Sequence, residues 1–363
     1  MKKKIIIVNN LLGYYGAENV LINLVNNLNN EKYDITLLTL KKSDSSLLTS
    51  NIKYKYIFTD KNSIFAKIYN KTLLLLGYKI LSKFYCKNYD IAIAFKMGEC
   101  AKLVSFCNSK KKYCWIHSNV SDINESCFYS FNSLDEECES LKKFDSLIAV
   151  SESSKYSFQK KYPVNLQIEV IYNPIDCKQI IKKSNEKLSS NDKLLLCEKK
   201  PIIGTIARID ANKGIERLIN ISKRLTNKNI DHTLIIVGDG VDYNRCKKII
   251  KDQKLNNIMM IGFRENPYNI LKHFSLFVCS SYSESYSIVT EEALCLGIPV
   301  ISTKCGGPEE VLQNGKYGLL VENSEDALFE AIEKFLILGI KDIEKYDASN
   351  SLKEFIYNVE NLF

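Results

Sequence analysis

The chain has 363 residues, 45% of them hydrophobic and 25% charged, a composition typical of globular rather than disordered proteins. This length exceeds one ordinary hydrophobic core and fits two domains of roughly 150–200 residues each. The formal net charge of +8 comes almost wholly from lysine, and the sequence lacks the arginine clusters and recognisable modules of nucleic-acid binders. A mild lysine excess suits phosphorylated ligands or an anionic membrane surface instead.

No apolar run reaches the roughly 18–20 residues that span a bilayer. The first apolar run stops at Val8 and is followed by polar Asn9 and Asn10, which predicts a short buried strand and no export signal. The twelve cysteines are scattered without a C-x-x-C pair, and several, such as Cys279 and Cys295, stand in apolar runs. We therefore expect a reduced, cytoplasmic protein.

Two segments begin alike, each with an apolar strand, a polar loop and an amphipathic helix. They are "KKIIIVNNLLGYYGAENVLINLV" and "KPIIGTIARIDANKGIERLINISKRL". Further strands are predicted at "DITLLTL", "YDIAIAF", "KKYCWIH", "DSLIAVS" and "IEVIYN", then at "HTLIIVGDG", "NIMMIGF", "LFVCSS" and "PVIST". Alternating strands and helices predict an α/β fold with two doubly wound, Rossmann-like domains that face each other across a cleft.

A hydrophilic stretch from Cys177 to Lys200 has little apolar periodicity and predicts a linker. The N-terminal domain is then expected over residues 1–176, the linker over 177–200 and the C-terminal domain over 201–345. A C-terminal helix that could pack back on the N-terminal domain is expected over residues 346–363.

Ligands of doubly wound sheets bind at the carboxyl ends of the strands. Arg208 and Lys213 stand five apart in the loop after "GTIA", where two long cations can converge on a diphosphate. The alternative is a pair of solvated surface charges. Arginine is rare in this chain and lysine would serve a surface equally well, which favours a function.

A helix predicted to begin near Ser287 offers unpaired N–H groups and a positive dipole end to a phosphate. Ser285 and Ser287 are small and polar, so a ligand can approach their backbone. Glu284 is better suited to accepting hydrogen bonds from sugar hydroxyls than to lying beside a phosphate. Glu292, one turn into the helix, could bind the two hydroxyls of a ribose. Taken alone, Glu292 also fits an exposed helix position.

Several motifs resemble, in order and spacing, those of the family 4 retaining glycosyltransferases of the GT-B fold. In the second half these are "RIDANKG", "GDG", "GFREN", "ESYSIVTEEALCLGIPVIST", "GGPEEV" and "NGKYGLLV". The first half contributes "GYYGAENVLINLV", "WIHSNV", "VSES" and "IYNPID". The resemblance spans residues 5 to about 335 and indicates the bacterial surface-polysaccharide type.

The resemblance implies a role for each candidate residue. Arg208 and Lys213 would bind the diphosphate of a nucleotide-sugar, Glu284 the hydroxyls of the donor sugar, and Glu292 the ribose. His117 would lie beside the transferred sugar, although its strand-end position equally fits a structural histidine. Further donor-binding positions are the backbone at Phe263 and Arg264, which would read the base, Gly16, which would approach the diphosphate, and Gly238, Ser285, Tyr286, Ser287 and Ile288.

Two positions depart from the family pattern. Tyr15 stands where the family often has the first glycine of a pair, and Ser285 where it often has a glycine after the first acid. The added side chains could narrow the approach to the phosphates or change which sugar fits.

The sequence offers no obvious paired acid and nucleophile for a covalent double displacement. The resemblance implies retention by front-face departure and return, with Arg208, Lys213 and the helix start at Ser287 stabilising the leaving diphosphate. A convincing D-x-D-like metal motif is absent, so we expect metal independence and no cofactor beyond the nucleotide-sugar. A UDP-sugar is favoured over a GDP-sugar as donor.

The resemblance implies that the acceptor is a glycan in lipid-linked form, in surface polysaccharide or glycoconjugate biosynthesis. Residues 61–87 interleave Lys67, Lys71, Lys79, Lys83 and Lys87 with large apolar residues, which could place this segment on anionic lipid at the inner face of the plasma membrane. An ordinary pair of packed helices with solvated lysines explains the same pattern.

Two other functions fit part of the pattern. A GT-B nucleotide-sugar epimerase would bind the same donor, but the order of the family 4 motifs argues against it. A non-catalytic partner subunit would be expected to have lost Arg208, Lys213 or Glu284, and all three are present.

Overall fold

The computed structural model describes residues 1–13, 16–59, 64–120, 130–196, 200–339 and 343–363. The chain forms two compact units. The first contains Met1–Pro174 together with Leu352–Phe363, and the second contains Ile175–Ser351. Each unit is an α/β layer structure around a parallel sheet, as the alternation of strands and helices predicts.

The described part of the first unit contains a seven-stranded parallel sheet with the order β3-β2-β1-β4-β5-β6-β7. Its strands are β1 (Lys3–Asn9), β2 (Tyr33–Lys41), β3 (Lys53–Phe58), β4 (Ile91–Ala94), β5 (Lys111–Ile116), β6 (Ser146–Ala149) and β7 (Ile168–Val170). Its helices are α1 (Gly16–Asn27), α2 (Ile64–Tyr85), α3 (Glu99–Ser105), α4 (Leu134–Leu141) and α5 (Glu152–Lys161). Residues 5–8 of the central strand β1 are fully buried, which explains their continuous apolar run.

The described part of the second unit contains a six-stranded parallel sheet with the order β10-β9-β8-β11-β12-β13. The helices that precede it are α6 (Cys177–Ser184) and α7 (Ser190–Leu195). The strands are β8 (Ile202–Ile206), β9 (Thr233–Val237), β10 (Ile258–Gly262), β11 (Leu276–Cys279), β12 (Val300–Thr303) and β13 (Leu319–Val321). The other helices are α8 (Ile215–Asn227), α9 (Tyr243–Asp252), α10 (Tyr268–Leu271), α11 (Ile288–Cys295), α12 (Gly307–Val311) and α13 (Glu325–Leu338).

Both sheets reverse their strand order beside the first strand of the unit. The reversal lies between β1 and β4 in the first unit and between β8 and β11 in the second. In open α/β sheets ligands bind at such a reversal, outside the carboxyl ends of the strands. The fold therefore fixes two places where functional side chains are expected.

The predicted linker over residues 177–200 is not a linker in the described structure. It contains α6 and α7, which belong to the second unit. On α6, Ile180 is buried in a small apolar cluster with Ile175 and Ala348. On α7, Asp192 is held by an ion pair with Arg264, whose Nη2 lies 2.8 Å from Oδ1. An ion pair to a distant arginine leaves no apolar periodicity in the sequence, which is why this segment was misassigned.

The last helix, α14 (Ser351–Leu362), lies in the first unit from Leu352 onward. It begins later than the predicted start at residue 346. Phe355 and Val359 are buried, and the ring of the terminal Phe363 lies 5.5 Å from that of Tyr33 in an edge-on contact. The C-terminal segment therefore contributes to the core of the first unit.

The cysteines differ in one respect from the expectation of a reduced chain. A disulfide joins Cys177 on α6 to Cys295 at the end of α11, across 118 residues and with a Cα–Cα distance of 6.1 Å. The other described cysteines are free and buried, as expected of small hydrophobic residues. Cys127 and Cys197 lie outside the described residues.

Among the described residues, no helix is both long enough and apolar enough to cross a membrane.

Replacing Phe355 with alanine tests the contribution of α14. Phe355 is 2% exposed, so its truncation should lower the free energy of unfolding of the first unit by about 3–5 kcal/mol. The single tryptophan, Trp115, is fully buried in β5 and its fluorescence in urea reports on this unit. Tyr357→Ala, at a position that is 67% exposed, is the matched control and should change stability little. Equal effects of the two substitutions would contradict the placement of α14.

Candidate active site

The loops after β8 and β11 meet at the strand-order reversal of the second unit. The Ser280 hydroxyl donates to the Lys213 carbonyl at 2.9 Å. The Tyr282 N–H donates to the Asn212 carbonyl at 2.8 Å, and the Asn212 side-chain amide donates to the Ser283 carbonyl at 2.7 Å. These bonds hold two loops that are about 70 residues apart in sequence as one surface.

Gly214 permits this close approach. It has a φ of +63°, and a Cβ atom there would lie 2.1 Å from the Ser280 carbonyl oxygen. A side chain at this position would be strained and would push the two loops apart.

The central contact of the site is an ion pair between Lys213 and Glu284. Lys213 Nζ lies 2.7 Å from Glu284 Oε1, and the two side chains are only 18% and 13% exposed. The same carboxylate accepts a hydrogen bond from the Ser281 hydroxyl at 2.7 Å. Burial disfavours the charged form of Lys213, but the adjacent Glu284 carboxylate outweighs it and raises the pKa of the ammonium group. The Lys213 ammonium group is therefore charged at neutral pH.

The backbone of Glu284 is fixed by the loop after β12. Its N–H donates to the Cys305 carbonyl and its carbonyl accepts from the Gly307 N–H, both at 2.8 Å. A Cβ atom on Gly307 would lie 2.3 Å from Tyr286 Cα, so glycine is needed for this packing. The loops after three strands that are neighbours in the sheet, β8, β11 and β12, thus position the Glu284 carboxylate.

Arg208 lies on the same loop as Lys213 but contacts a different carboxylate. Its Nε lies 2.5 Å from Asp210 Oδ2, and its side chain is 63% exposed. The other oxygen of Asp210 accepts the Asn212 N–H at 3.1 Å, which caps the short 3-10 turn at Ala211–Lys213. The structure therefore presents the Arg208 guanidinium to solvent, while Lys213 is largely enclosed.

Ser287 is the N-cap residue of α11 and has a left-handed backbone conformation, with φ 70° and ψ 68°. Its hydroxyl pairs with that of Thr290 at 2.8 Å. In this loop the residue with a positive φ is Ser287, a conformation that glycine adopts more readily than serine.

Glu292 is bound by Tyr268, the first residue of α10. The Tyr268 hydroxyl donates to Glu292 Oε1 at 2.8 Å. Burial raises the pKa of Glu292 to about 7, and the Tyr268 bond only partly opposes this shift. The carboxyl group therefore changes charge near neutral pH.

The neighbouring acid, Glu291, was not singled out from the sequence and is more deeply buried, at 2% exposure. It accepts hydrogen bonds from the hydroxyls of Tyr286 at 3.0 Å and Tyr346 at 2.7 Å. Burial raises the pKa of Glu291 to about 7 as well. It ties the loop after β11 to the segment that precedes α14.

The remaining donor-binding positions of the second unit lie after β9 and β10. Gly238 follows β9 with a φ of +136° and donates its N–H to the Gly262 carbonyl at 3.0 Å. Phe263 is 46% exposed. The Arg264 guanidinium binds the Phe263 carbonyl at 3.1 Å as well as Asp192, so it stiffens the backbone that was predicted to read a base. Ile288 is the first residue of α11.

The first unit carries Gly16 and His117 at its own strand-order reversal. Gly16 starts α1. His117 follows β5 and its ring lies 4.7 Å from that of Phe95. Burial, with the nearby Lys96 charge, lowers the pKa of His117 to about 3, so the imidazole is neutral at pH 7.

The sequence reasoning missed a largely enclosed ion pair in the first unit. Lys96, which follows β4, binds Glu18 in the first turn of α1, and Glu18 is 3% exposed. An acid within the quoted "GAE" motif was the available signal. Tyr15, which precedes this helix, lies outside the described residues.

Within the described residues, no cluster of three or more histidine, cysteine, aspartate or glutamate side chains is arranged to hold a metal ion.

Two family models match the chain. The one described as Glycosyltransferase Family 4 matches residues 14–179, and the one described as Glycosyl transferases group 1 matches residues 186–354. Together they extend over nearly the whole sequence.

Curated relatives of the chain are also glycosyltransferases. An uncharacterised glycosyltransferase of Methanocaldococcus jannaschii is 28% identical over 68% of this chain and 67% of its own length. The Campylobacter jejuni enzyme named N-acetylgalactosamine-N,N'-diacetylbacillosaminyl-diphospho-undecaprenol 4-alpha-N-acetylgalactosaminyltransferase is 30% identical over 46% of this chain. The match spans 44% of that enzyme, which is less than half of its length.

Among solved structures, Anabaena Alr3699/HepE in complex with UDP and glucose matches with a TM-score of 0.76. The likeness covers 99% of this chain and 98% of HepE at 19% sequence identity, and it shows the shared fold. The two sheets, the order of the motifs and the family matches over both halves show that the chain belongs to the family 4 glycosyltransferases and has the GT-B fold.

Proposed function

We propose that the chain transfers a sugar, with retention of anomeric configuration, from a UDP-sugar to a hydroxyl of a lipid-linked glycan. The observation that carries this proposal is the enclosed Lys213–Glu284 pair at the strand-order reversal of the second unit. It offers a charged ammonium group for a diphosphate and, beside it, a carboxylate for sugar hydroxyls. In this proposal Arg208, exposed on the same loop, adds a second cation for the diphosphate.

The other donor contacts follow from the same loops. Glu292 binds the ribose hydroxyls, displacing or sharing the Tyr268 hydroxyl. The backbone at Phe263 reads the base, in a loop that Arg264 holds in place. The UDP complex of HepE supports uracil as the base. The N–H groups at the start of α11, beside Ser287, face the phosphates.

Departure of the nucleoside diphosphate is the charge-separating step in this mechanism. The phosphate oxygens gain negative charge as the anomeric bond breaks, and Lys213, Arg208 and the α11 N-terminus stabilise it. A phosphate oxygen then takes the acceptor proton while the acceptor oxygen bonds on the face that the leaving group vacates. A neutral His117 can hydrogen-bond a sugar hydroxyl without adding charge. These residues provide the cations that the leaving group needs, so the proposal includes no metal and no resident cofactor.

The acceptor class rests on a relative. The Campylobacter jejuni enzyme acts, by its name, on a diphospho-undecaprenol-linked sugar. Transfer of that property to this chain supports a lipid-linked glycan in surface polysaccharide or glycoconjugate synthesis, made at the cytoplasmic face of the membrane.

Charge removal at the diphosphate site gives the first prediction. Lys213→Ala and Arg208→Ala should each weaken UDP binding by about 10–100-fold, because each loses a charge-assisted hydrogen bond. The control is Arg224→Ala, which removes an arginine that is likewise paired with acids but lies in the last turn of α8. Calorimetric titration with UDP, and with GDP and ADP for comparison, measures the effect. Undiminished UDP affinity in the Lys213 variant would contradict the proposed site.

A pH dependence gives the second prediction. Glu292 has a folded pKa of about 7, so it gains its negative charge, and its affinity for ribose hydroxyls, as the pH rises through 7. UDP should bind several-fold more tightly at pH 8 than at pH 6.5, and Glu292→Gln should abolish this change. Glu291→Gln is the matched control because its carboxyl group faces Tyr286 and Tyr346 instead. A pH dependence that persists in Glu292→Gln and disappears in Glu291→Gln would reverse the assignment.

The same shift predicts a change in stability. The folded state keeps a proton on Glu292 between about pH 4.5 and 7, where the unfolded chain has released it. The free energy of unfolding should therefore fall as the pH rises from about 4.5 to 7 and level off above 7, by about 1.4 kcal/mol for each unit of pKa shift. Urea titrations of the protein and of Glu292→Gln at pH 5.5 and 8 compare the two slopes. Equal slopes would exclude Glu292 as the source.

The stereochemistry and the metal requirement are tested together. With the UDP-sugar that the protein binds, the product should have the anomeric configuration of the donor, as read from proton coupling constants. Its rate of formation should be unchanged by EDTA. An inverted product would contradict retention, and activity that returns only with added divalent metal would contradict metal independence.

A further inference from the structure

Helix α2 has one face buried against the first unit. Ala66 and Leu81 are buried, and the Tyr78 hydroxyl donates to Glu99 Oε1 at 2.6 Å. The Asn70 side chain exchanges hydrogen bonds with the Thr59 backbone at 2.9 and 3.1 Å. The helix is thus docked on the unit through a defined side.

A second apolar face of α2 points to solvent. Phe65, Leu75 and Phe84 are 84%, 80% and 75% exposed. Four other large hydrophobic residues of this face are also exposed, namely Ile68, Tyr69, Leu76 and Ile80, while exposed Leu74 lies on a different side of the helix. Burying this many large apolar side chains would be favourable, and a monomer in water seldom exposes so many on one element.

The exposed apolar residues follow helical spacing. Before Gly77 they stand at 65, 68, 69, 75 and 76, that is at i, i+3, i+4, i+10 and i+11, which places them along one side. Gly77 interrupts the helix with φ 73° and ψ 160°. After it, Ile80 and Phe84 stand at i and i+4, again on one side. The helix therefore has two apolar sides, one packed on the unit and one exposed, whereas an ordinary packed helix has only the buried one.

All the charges on this helix are positive. Residues 64–85 contain Lys67, Lys71, Lys79 and Lys83 and no aspartate or glutamate. All four lysines are exposed, and within the described residues none forms an ion pair. Apolar side chains flanked by unpaired cations match the interface of a bilayer that carries anionic headgroups. The surface of an ordinary exposed helix would more often carry acidic residues interspersed among its lysines.

We propose that the exposed face of α2 is a membrane-docking surface that binds anionic phospholipid, with its large apolar residues entering the headgroup region and its lysines contacting the phosphates. The inference extends the lipid-linked acceptor of the proposed function by placing the enzyme at the bilayer. It does not depend on which nucleotide-sugar the second unit binds. Residues 61–63, which belong to the same sequence pattern, lie outside the described residues.

Vesicle flotation with the full chain tests the charge requirement. The protein should float with vesicles that contain phosphatidylglycerol and remain below vesicles of pure phosphatidylcholine. Changing Lys67, Lys71, Lys79 and Lys83 to Gln should lower the partition coefficient by more than about a hundredfold, since each lysine near an anionic surface contributes about fivefold. The matched control changes four other exposed helix lysines, Lys223, Lys248, Lys251 and Lys353, to Gln. Equal loss in both quadruple variants, or no loss in the first, would overturn the proposal.

A second pair of variants tests the apolar face. Leu75→Gln with Phe84→Gln should reduce flotation at least tenfold without lowering the thermal midpoint, because both side chains are already exposed. Val241→Gln with Tyr357→Gln, at positions that are 89% and 67% exposed, is the control and should float normally.

Sedimentation velocity distinguishes a different occupant of the same face. The protein could instead fail to bind vesicles and form dimers that the Leu75 and Phe84 substitutions dissociate. In that case α2 is an interface between copies and the membrane proposal is wrong. UDP binding measured on the same samples separates the two proposals. Vesicle binding without UDP binding would refute the donor site alone, and UDP binding without vesicle binding would refute the docking surface alone.

Discussion

An ion pair that is mostly hidden from water, Lys213 with Glu284, connects the loops on which the candidate site depends. Removing two charges from water is costly, and the cost is offset here by their mutual attraction and by the Ser281 hydrogen bond. Breaking such a pair leaves an uncompensated charge, typically at a cost of about 3–5 kcal/mol. The pair therefore holds the strand-order reversal in one arrangement before any ligand arrives.

The same pair explains how the site can serve a nucleotide-sugar. A diphosphate offers Lys213 a second anionic partner, and the Glu284 carboxylate beside it can accept hydrogen bonds from sugar hydroxyls. Gly214 and Gly307 let three loops approach closely enough for this geometry. Arg208 can turn to a ligand at modest cost, because its own side chain is 63% exposed and solvent screens its pair with Asp210.

Helix α11 adds two adjacent acids with separate surroundings. Glu292 faces Tyr268, while Glu291 faces Tyr286 and Tyr346. Both carboxyl groups are buried enough to have a pKa of about 7. In this account Glu292 contacts the ligand, whereas Glu291 holds the loop that carries Glu284 against the segment leading to α14. One turn of helix thus combines a binding group with a positioning group.

Much of this architecture could be predicted from local patterns. Alternating apolar strands and helices identified the two sheets, and the loops after the strands contained the Lys213–Glu284 pair. The missed features depend on residues distant in sequence: Arg264 with Asp192 is separated by 72 positions, and Glu291 with Tyr346 by 55. Strand β3 was missed because it mixes exposed and buried residues. The left-handed backbone at Ser287 could not be predicted because neither a serine nor its neighbours in the sequence indicate a positive φ.

A crystal structure of the protein with UDP tests the central claim most directly. The account predicts that the β-phosphate lies within ion-pair distance of Lys213 Nζ and that the ribose hydroxyls contact the Glu292 carboxylate. It also predicts that Glu284 keeps its backbone bonds to Cys305 and Gly307. A diphosphate bound away from Lys213, or a ribose bound without Glu292, would contradict the account.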